Sequence, residues 1–367
     1  MNERAWDARG GRPAARRNWA ARLKGYGVLS LLIVLAELWV LGSLEQSLQR
    51  HARFESREVL PPVVSAHWQL PAGIAPRSIA VSFDGRYAAY PMGEAGGGPL
   101  EVVDLGQRRV QSELPLQGKQ VNLLRWLPDR EQLLYAVGRQ GGSGDLELWS
   151  LDADSGRNRL LHTIRRVTAA SRVVDLSLST LTNLIYIKVC DGPGQYRLYR
   201  LDVMDYLYRA RFQPEAGRVD VLPARDEVLV EAAVSGQVWA VRGILGTDRT
   251  QIGGPGGPGG TALLGVTSAD EVYLGDLSAD GRRVIAVRFG PVGGVYRPVW
   301  HGLPGLPRDR LFVAQDDTLY LNEPQSGTLV GIAGLRRTLH YRGELVTFTG
   351  RLLAVRSGRT LSVGPVS

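Results

Sequence analysis

The stretch RSIAVSFDGRYAAY, residues 77–90, sets the reading of the whole chain. Two short apolar runs flank Asp84-Gly85, and the positive φ angles that such a dipeptide tolerates suit a tight turn. It reads strand, turn, strand. PLEVVDL (99–105) and RVQSEL (109–114) follow as a third and a fourth strand.

The unit recurs. QVNLLRWLPDREQLLYAV (120–137) gives two strands about Pro128-Asp129, and DLELWSL (145–151) with RLLHTI (159–164) completes that set. A third copy spans 172–212 with its turn near Thr182-Asn183, and a fourth begins at Gly217 with its turn at Ala224-Arg225-Asp226. A fifth falls on LSADGRRVIAV (277–287). The turn positions Asp84, Asp129, Thr182, Asp226 and Asp280 lie 45, 53, 44 and 54 residues apart. Repeats of that length, each of four short strands, predict an all-β chain folded as a β-propeller. One small sheet cannot bury both faces until blades pack on one another around an axis. Residues 311–367 hold at least one further, less regular blade, and 63–70 can supply the strand that closes the ring. Six blades fit best; seven are compatible.

VSFDGRYAAY (81–90), RWLPDREQLLYAV (125–137) and LSADGRRVIAV (277–287) resemble the SPDG strand–turn–strand of TolB-type, WD40-like propeller repeats. DLELWSLDADSGRNRLL (145–161) is similar to the third and fourth strands of such a repeat. The resemblance runs over roughly residues 77–300. It implies a fold and not an activity, since repeats of this kind serve scaffolds, receptors and hydrolase accessory domains alike. Two departures stand out. The Trp-Asp dipeptide of WD40 repeats does not occur after residue 44, and an apolar segment stands where TolB has a separate N-terminal domain.

That segment is YGVLSLLIVLAELWVLGSL, residues 26–44, with one charge, Glu37, and no proline. As a helix it rises roughly 28 Å, close to the thickness of a bilayer's hydrocarbon core. Arg4, Arg9, Arg12, Arg16, Arg17, Arg22 and Lys24 precede it against Glu3 and Asp7, while the following residues mix signs. The expected organisation is a basic cytoplasmic tail (1–25), a single transmembrane α-helix (26–44), a stalk (45–62) ended by Pro61-Pro62, and the propeller (63–367) outside the cytoplasmic membrane. Tyr26 and Trp39 suit interfacial anchors. The long core and the missing A-x-A site speak against a cleaved signal peptide. Arg16-Arg17 only loosely resembles a twin-arginine export signal, since adjacent arginines are expected in so arginine-rich a tail. Glu37 admits two readings, pairing with a partner helix or reaching toward headgroups.

The formal charge of +8 resides mostly in the tail, so the main domain is only mildly basic, which argues against a nucleic-acid partner. The tail is suited to anionic lipid on the cytoplasmic face. Cys190 is the only cysteine, so no intramolecular disulfide forms; after IYIKV (185–189) it reads as a small buried apolar residue.

No catalytic, cofactor-binding or metal-binding residue emerges. His51, His67, His162, His301 and His340 form no metal-ligand pair by spacing, and no G-x-S-x-G elbow occurs. Asp152-x-Asp154-x-Gly156 resembles half of a calcium loop, but Thr163 stands where the twelfth-position acid is needed, so it reads as a polar hairpin. GGPGGPGG (253–260) reads as a mobile loop between blades, and Trp126, Trp149 and Trp239 as blade packing. The expected function is a non-enzymatic propeller that binds a protein or an envelope component through one rim. The rival is an enzyme, a lyase or a glycan-acting hydrolase, with its site in the central channel. Two carboxylates and a histidine in the channel would favour the enzyme, and small apolar residues there the binding module. A third reading is signalling through the basic tail.

Overall fold

The computed structural model describes residues 34–41, 62–93, 97–139, 144–179, 181–211, 217–232, 235–243, 245–254 and 256–366. Contacts divide the chain into two units, Met1–Leu60 and Pro61–Ser367.

In the first unit the described residues, 34–41, are helical and exposed. Among the described residues no helix is long and apolar enough to cross a membrane. These eight residues rise about 12 Å, well under a bilayer's core. The rest of the expected span (26–33 and 42–44), the tail and nearly all of the stalk lie outside the described residues.

In the second unit the described residues form seven antiparallel sheets of four strands each, one sheet per blade. Blade 1 runs outward from the axis as Ala80–Val81, Tyr87–Pro91, Leu100–Asp104 and Arg109–Leu114. The innermost strands of blades 2 to 7 are Lys119–Trp126, Arg172–Ser179, Val219–Val221, Thr261–Val266, Leu311–Val313 and Glu344–Phe348. The count is seven, not six, for two reasons. Residues 311–365 hold two blades, and the second takes only three strands from that stretch. Its fourth is Ala66–Gln69, which pairs antiparallel with Thr360–Pro365, so the ring is closed by the strand expected within 63–70.

The fifth repeat is offset by one strand from its expected place. Its Asp280 turn joins the second strand, Glu271–Leu277, to the third, Arg283–Pro291, whereas the turn comparable to Asp84 is the one at Asp270. Local chemistry is nevertheless the same in both turns. In blade 1, Asp84 Oδ1 accepts from Ser82 Oγ (2.8 Å) and the Arg86 N–H (2.9 Å), with Gly85 at φ +80°. In blade 5, Asp280 Oδ1 accepts from Ser278 Oγ (2.6 Å) and the Arg282 N–H (3.1 Å), with Gly281 at φ +69°.

Apolar clusters fill the seams between blades. Tyr87, Val102, Leu133 and Tyr135 join blade 1 to blade 2, with Trp126 stacked on Tyr87 at 6.0 Å between centroids. Trp149 stacks on Tyr135 at 6.2 Å, so both tryptophans pack as expected. Cys190 is buried in blade 3 as a free thiol. The glycine stretch does not hang free. Gly259 donates to the Leu277 carbonyl (3.1 Å), and a Cβ on Gly260, itself at φ +93°, would stand 2.5 Å from the Gly236 Cα. Glycines there let three backbone segments touch.

Candidate functional site: the central channel and its arginine-rich mouth

In a four-stranded blade the turns alternate between two ends. First-to-second and third-to-fourth turns lie at one end, while second-to-third turns and the links between blades lie at the other. The chain enters at the first end, because Ala66–Gln69 is an outermost strand running toward the first inter-blade link. Among the described residues, the loops at the opposite end carry Arg77, Arg165, Arg166, Arg211, Arg218, Arg282, Arg308, Arg310, Arg342 and Arg359 against only Asp145, Asp280 and Asp309. Among the described loop residues at the entry end, carboxylates outnumber arginines, ten to eight. The two rims therefore differ in charge.

Innermost strands line the channel. A cavity of about 200 Å³ there is bounded by Arg125 of blade 2, Asp175 and Ser177 of blade 3, Arg218 and Asp220 of blade 4, and Gly265 and Val313 beyond them. These strands are not regular. Register shifts interrupt the first pairing of blades 2, 3, 5 and 7, at Val121/Leu123, Val173/Asp175, Leu263/Gly265 and Leu345/Thr347. Such bulges bend a strand and re-aim its side chains. After the shift in blade 3, Leu176 lies in the core while Asp175 and Ser177 border the cavity.

The polar groups engage one another. Arg125 Nη2 lies 3.3 Å from Asp175 Oδ1. Ser177 Oγ donates to Asp220 Oδ1 (3.4 Å) and accepts the Val221 N–H (2.9 Å). Arg218 Nε is 3.7 Å from Asp220 Oδ2, a loose pairing. Burial pushes the Asp220 pKa up, Arg218 opposes this and Asp175 adds to it. A side-chain exposure of 28% still lets channel water reach that carboxyl. Behind Arg218, the buried Lys188 donates to the Gly217 carbonyl and lies 4.4 Å from the Tyr196 ring centroid. Burial pulls its pKa down.

At the arginine-rich end a second cavity, of about 490 Å³, opens between Arg218, Arg282, Arg308 and Asp309 over the Leu263–Leu264 segment. Arg218 borders both spaces. Arg308 pairs with Glu231, a carboxylate 1% exposed whose Oε2 also accepts the Leu263 N–H at 2.9 Å.

The residues weighed from sequence lie elsewhere. His67, His162, His301 and His340 all sit on outermost strands, and His51 lies outside the described residues. Asp152 caps a hairpin, accepting from the Ser155 N–H and Oγ (both 2.8 Å), while Asp154 is occupied by Tyr87 Oη and Arg86. Among the described residues no group of His, Cys, Asp and Glu is placed to hold a metal. Sequence reasoning missed Arg125, Asp175, Arg218 and Asp220. Their only signal was a carboxylate set among apolar residues in a first strand, as in VVDLSL and VDV.

No protein-family model matches the chain, and no curated protein does. Solved structures match it by fold. An oligogalacturonate lyase in complex with manganese superposes with a TM-score of 0.55 at 12% identity, over 84% of this chain and 97% of that one. The Cps50 (Swd1) β-propeller domain of Myceliophteria thermophila gives 0.52 at 13%, over 82% and 100%. TolB from Acinetobacter baumannii gives 0.41 at 14%, over 78% and 65%. For the lyase and the Cps50 domain, at these identities, the likeness is one of propeller architecture alone.

Proposed function

We propose that the chain is a membrane-anchored propeller that binds a protein or an envelope component through the arginine-rich rim. Residues 26–44 are the anchor, 1–25 the cytoplasmic tail, and the propeller stands outside the cytoplasmic membrane. The anchor and its orientation rest on the apolar run and the arginine asymmetry of its flanks. Binding rests on one observation, the excess of arginine on the loop face opposite the chain's entry.

The rival reading draws on Asp175 and Asp220. One is paired with Arg125 and the other is pushed toward its neutral form, the division of labour an acid–base pair needs. The oligogalacturonate lyase lends this reading its fold but no residue. Among the described residues the histidines lie on outermost strands and not on those that line the channel.

Protease added to intact spheroplasts tests the topology: the propeller should be digested, and its survival until lysis would reverse the orientation. Cross-linking of the full chain in cells tests the binding. Arg165→Glu with Arg166→Glu should reduce capture of the partner, while Arg336→Glu at the entry end should not. Equal capture by all variants would remove the rim from the proposal.

A further inference from the structure

Resting on that binding reading and naming its ligand, we propose that the cleft between Arg218, Arg282 and Arg308 holds a carboxylate presented by a peptide segment of the partner. All three arginines lie at one end of the ring. Arg218 directly precedes the innermost strand of blade 4, and Arg308 begins the short turn before the innermost strand of blade 6. Arg282 sits in the Asp280 turn of blade 5, between them.

The three guanidiniums differ in what they already hold. Arg308 is matched by the buried Glu231, itself tied to the Leu263 N–H, so it forms a fixed wall. Arg218 has only the 3.7 Å approach to Asp220, longer than a hydrogen bond. Arg282 is exposed and its guanidinium makes no close ion pair among the described residues, though the Asp280 carboxylate of the same turn acts on it. Asp309 at the cleft's edge, Asp280 in the turn of Arg282 and Asp220 beside Arg218 partly offset the two loosely held guanidiniums. Carboxylates already this near the guanidiniums favour a singly charged carboxylate ligand over a dianionic phosphate. The guanidinium fork gives that carboxylate two parallel hydrogen bonds. Binding would draw Arg218 from Asp220 and so reach the channel.

Titrating the full chain in detergent micelles with hexaglutamate, hexaglutamine and a glucuronate trimer, by calorimetry, tests this. Hexaglutamate should bind and hexaglutamine should not. Arg282→Glu should weaken binding about tenfold or more, and Asp309→Asn should strengthen it several-fold. Both side chains are exposed, so circular dichroism and Tm should stay at the wild-type values. Equal binding of both peptides, or indifference to Arg282→Glu, overturns the proposal. Binding of the glucuronate trimer alone moves the carboxylate to a glycan and overturns the peptide source. None of these outcomes bears on orientation or on capture of the partner in cells, which the spheroplast and cross-linking experiments decide separately.

Discussion

Glu131 carries the largest electrostatic tension on the entry face. Both its carboxyl oxygens are buried, and they face the Asp84 carboxylate and the Ser82 hydroxyl of the neighbouring blade's turn. Burial, then the hydrogen bond shared with Asp84, pushes its pKa up to about 9. The native state therefore holds a proton that the unfolded chain releases near the ordinary carboxylate value. Between roughly pH 4.5 and 9 the native form binds more protons, so this group lowers stability progressively as pH rises through that window. Glu131→Gln keeps the shape and a donor for Asp84 while removing the proton. At pH 8 the variant should be the more stable by up to about 4 kcal/mol, and at pH 5 the two should be nearly equal. Tm curves measured against pH should converge on the acid side; parallel curves would show that Glu131 ionises freely in the native state.

Identical turns in different blades need not weigh the same. The Ser82–Arg86 and Ser278–Arg282 turns share their side-chain bonds and a glycine with positive φ. A Cβ on Gly85 would meet Leu352 Cδ1 at 2.5 Å and Val363 Cγ1 at 2.7 Å in blade 7, whereas one on Gly281 would meet nothing within 4 Å. Gly281→Ala should cost only the left-handed strain, about 1 kcal/mol, and Gly85→Ala about 2–4 kcal/mol, since it also forces two core side chains aside. Urea midpoints of the two variants decide this, and equal costs would mean that blade 7 yields freely. The same comparison explains what was legible in the sequence. The turn signal is local, set by Ser, Asp and Gly within a few residues, so it fixed strand–turn–strand and the propeller class. Nothing local says which pair of strands a turn joins, and so the fifth repeat was read one strand late. Residues 311–367 read as at least one blade and hold two; the first turn there, AQDDT (314–318), reaches positive φ through Asp317 without a glycine, which blurs the repeat. The channel was illegible for a related reason. Asp175 and Asp220 come from different blades, and only the closed ring brings them to one cavity. Closure itself was readable in 63–70 because a spare strand must pair somewhere.

At the scale of the whole molecule, the two rims set the direction of a field. Arginines of the described loops at the far end are mostly exposed and spread over several blades, and three of them, Arg218, Arg282 and Arg308, line one cleft. Together they raise the potential that an approaching anion meets, which acts on association and not on the lifetime of the complex. The cleft at Arg282 acts on the lifetime, because contact is made there. The two contributions separate experimentally. For hexaglutamate binding to the full chain, the association rate should fall several-fold between 50 and 500 mM salt, as the screening length shrinks well below the width of the rim. Arg165→Glu with Arg166→Glu, at residues that do not line the cleft, should slow association several-fold at low salt and leave dissociation unchanged. Arg282→Glu should instead speed dissociation. Stopped-flow measurements resolve both rates. If the double reversal at 165 and 166 changes dissociation as much as association, those arginines are contacts and the ligand spans more of the rim than the cleft. If association is insensitive to salt, the charge difference between the rims does not guide binding at all, and recognition rests on the cleft alone.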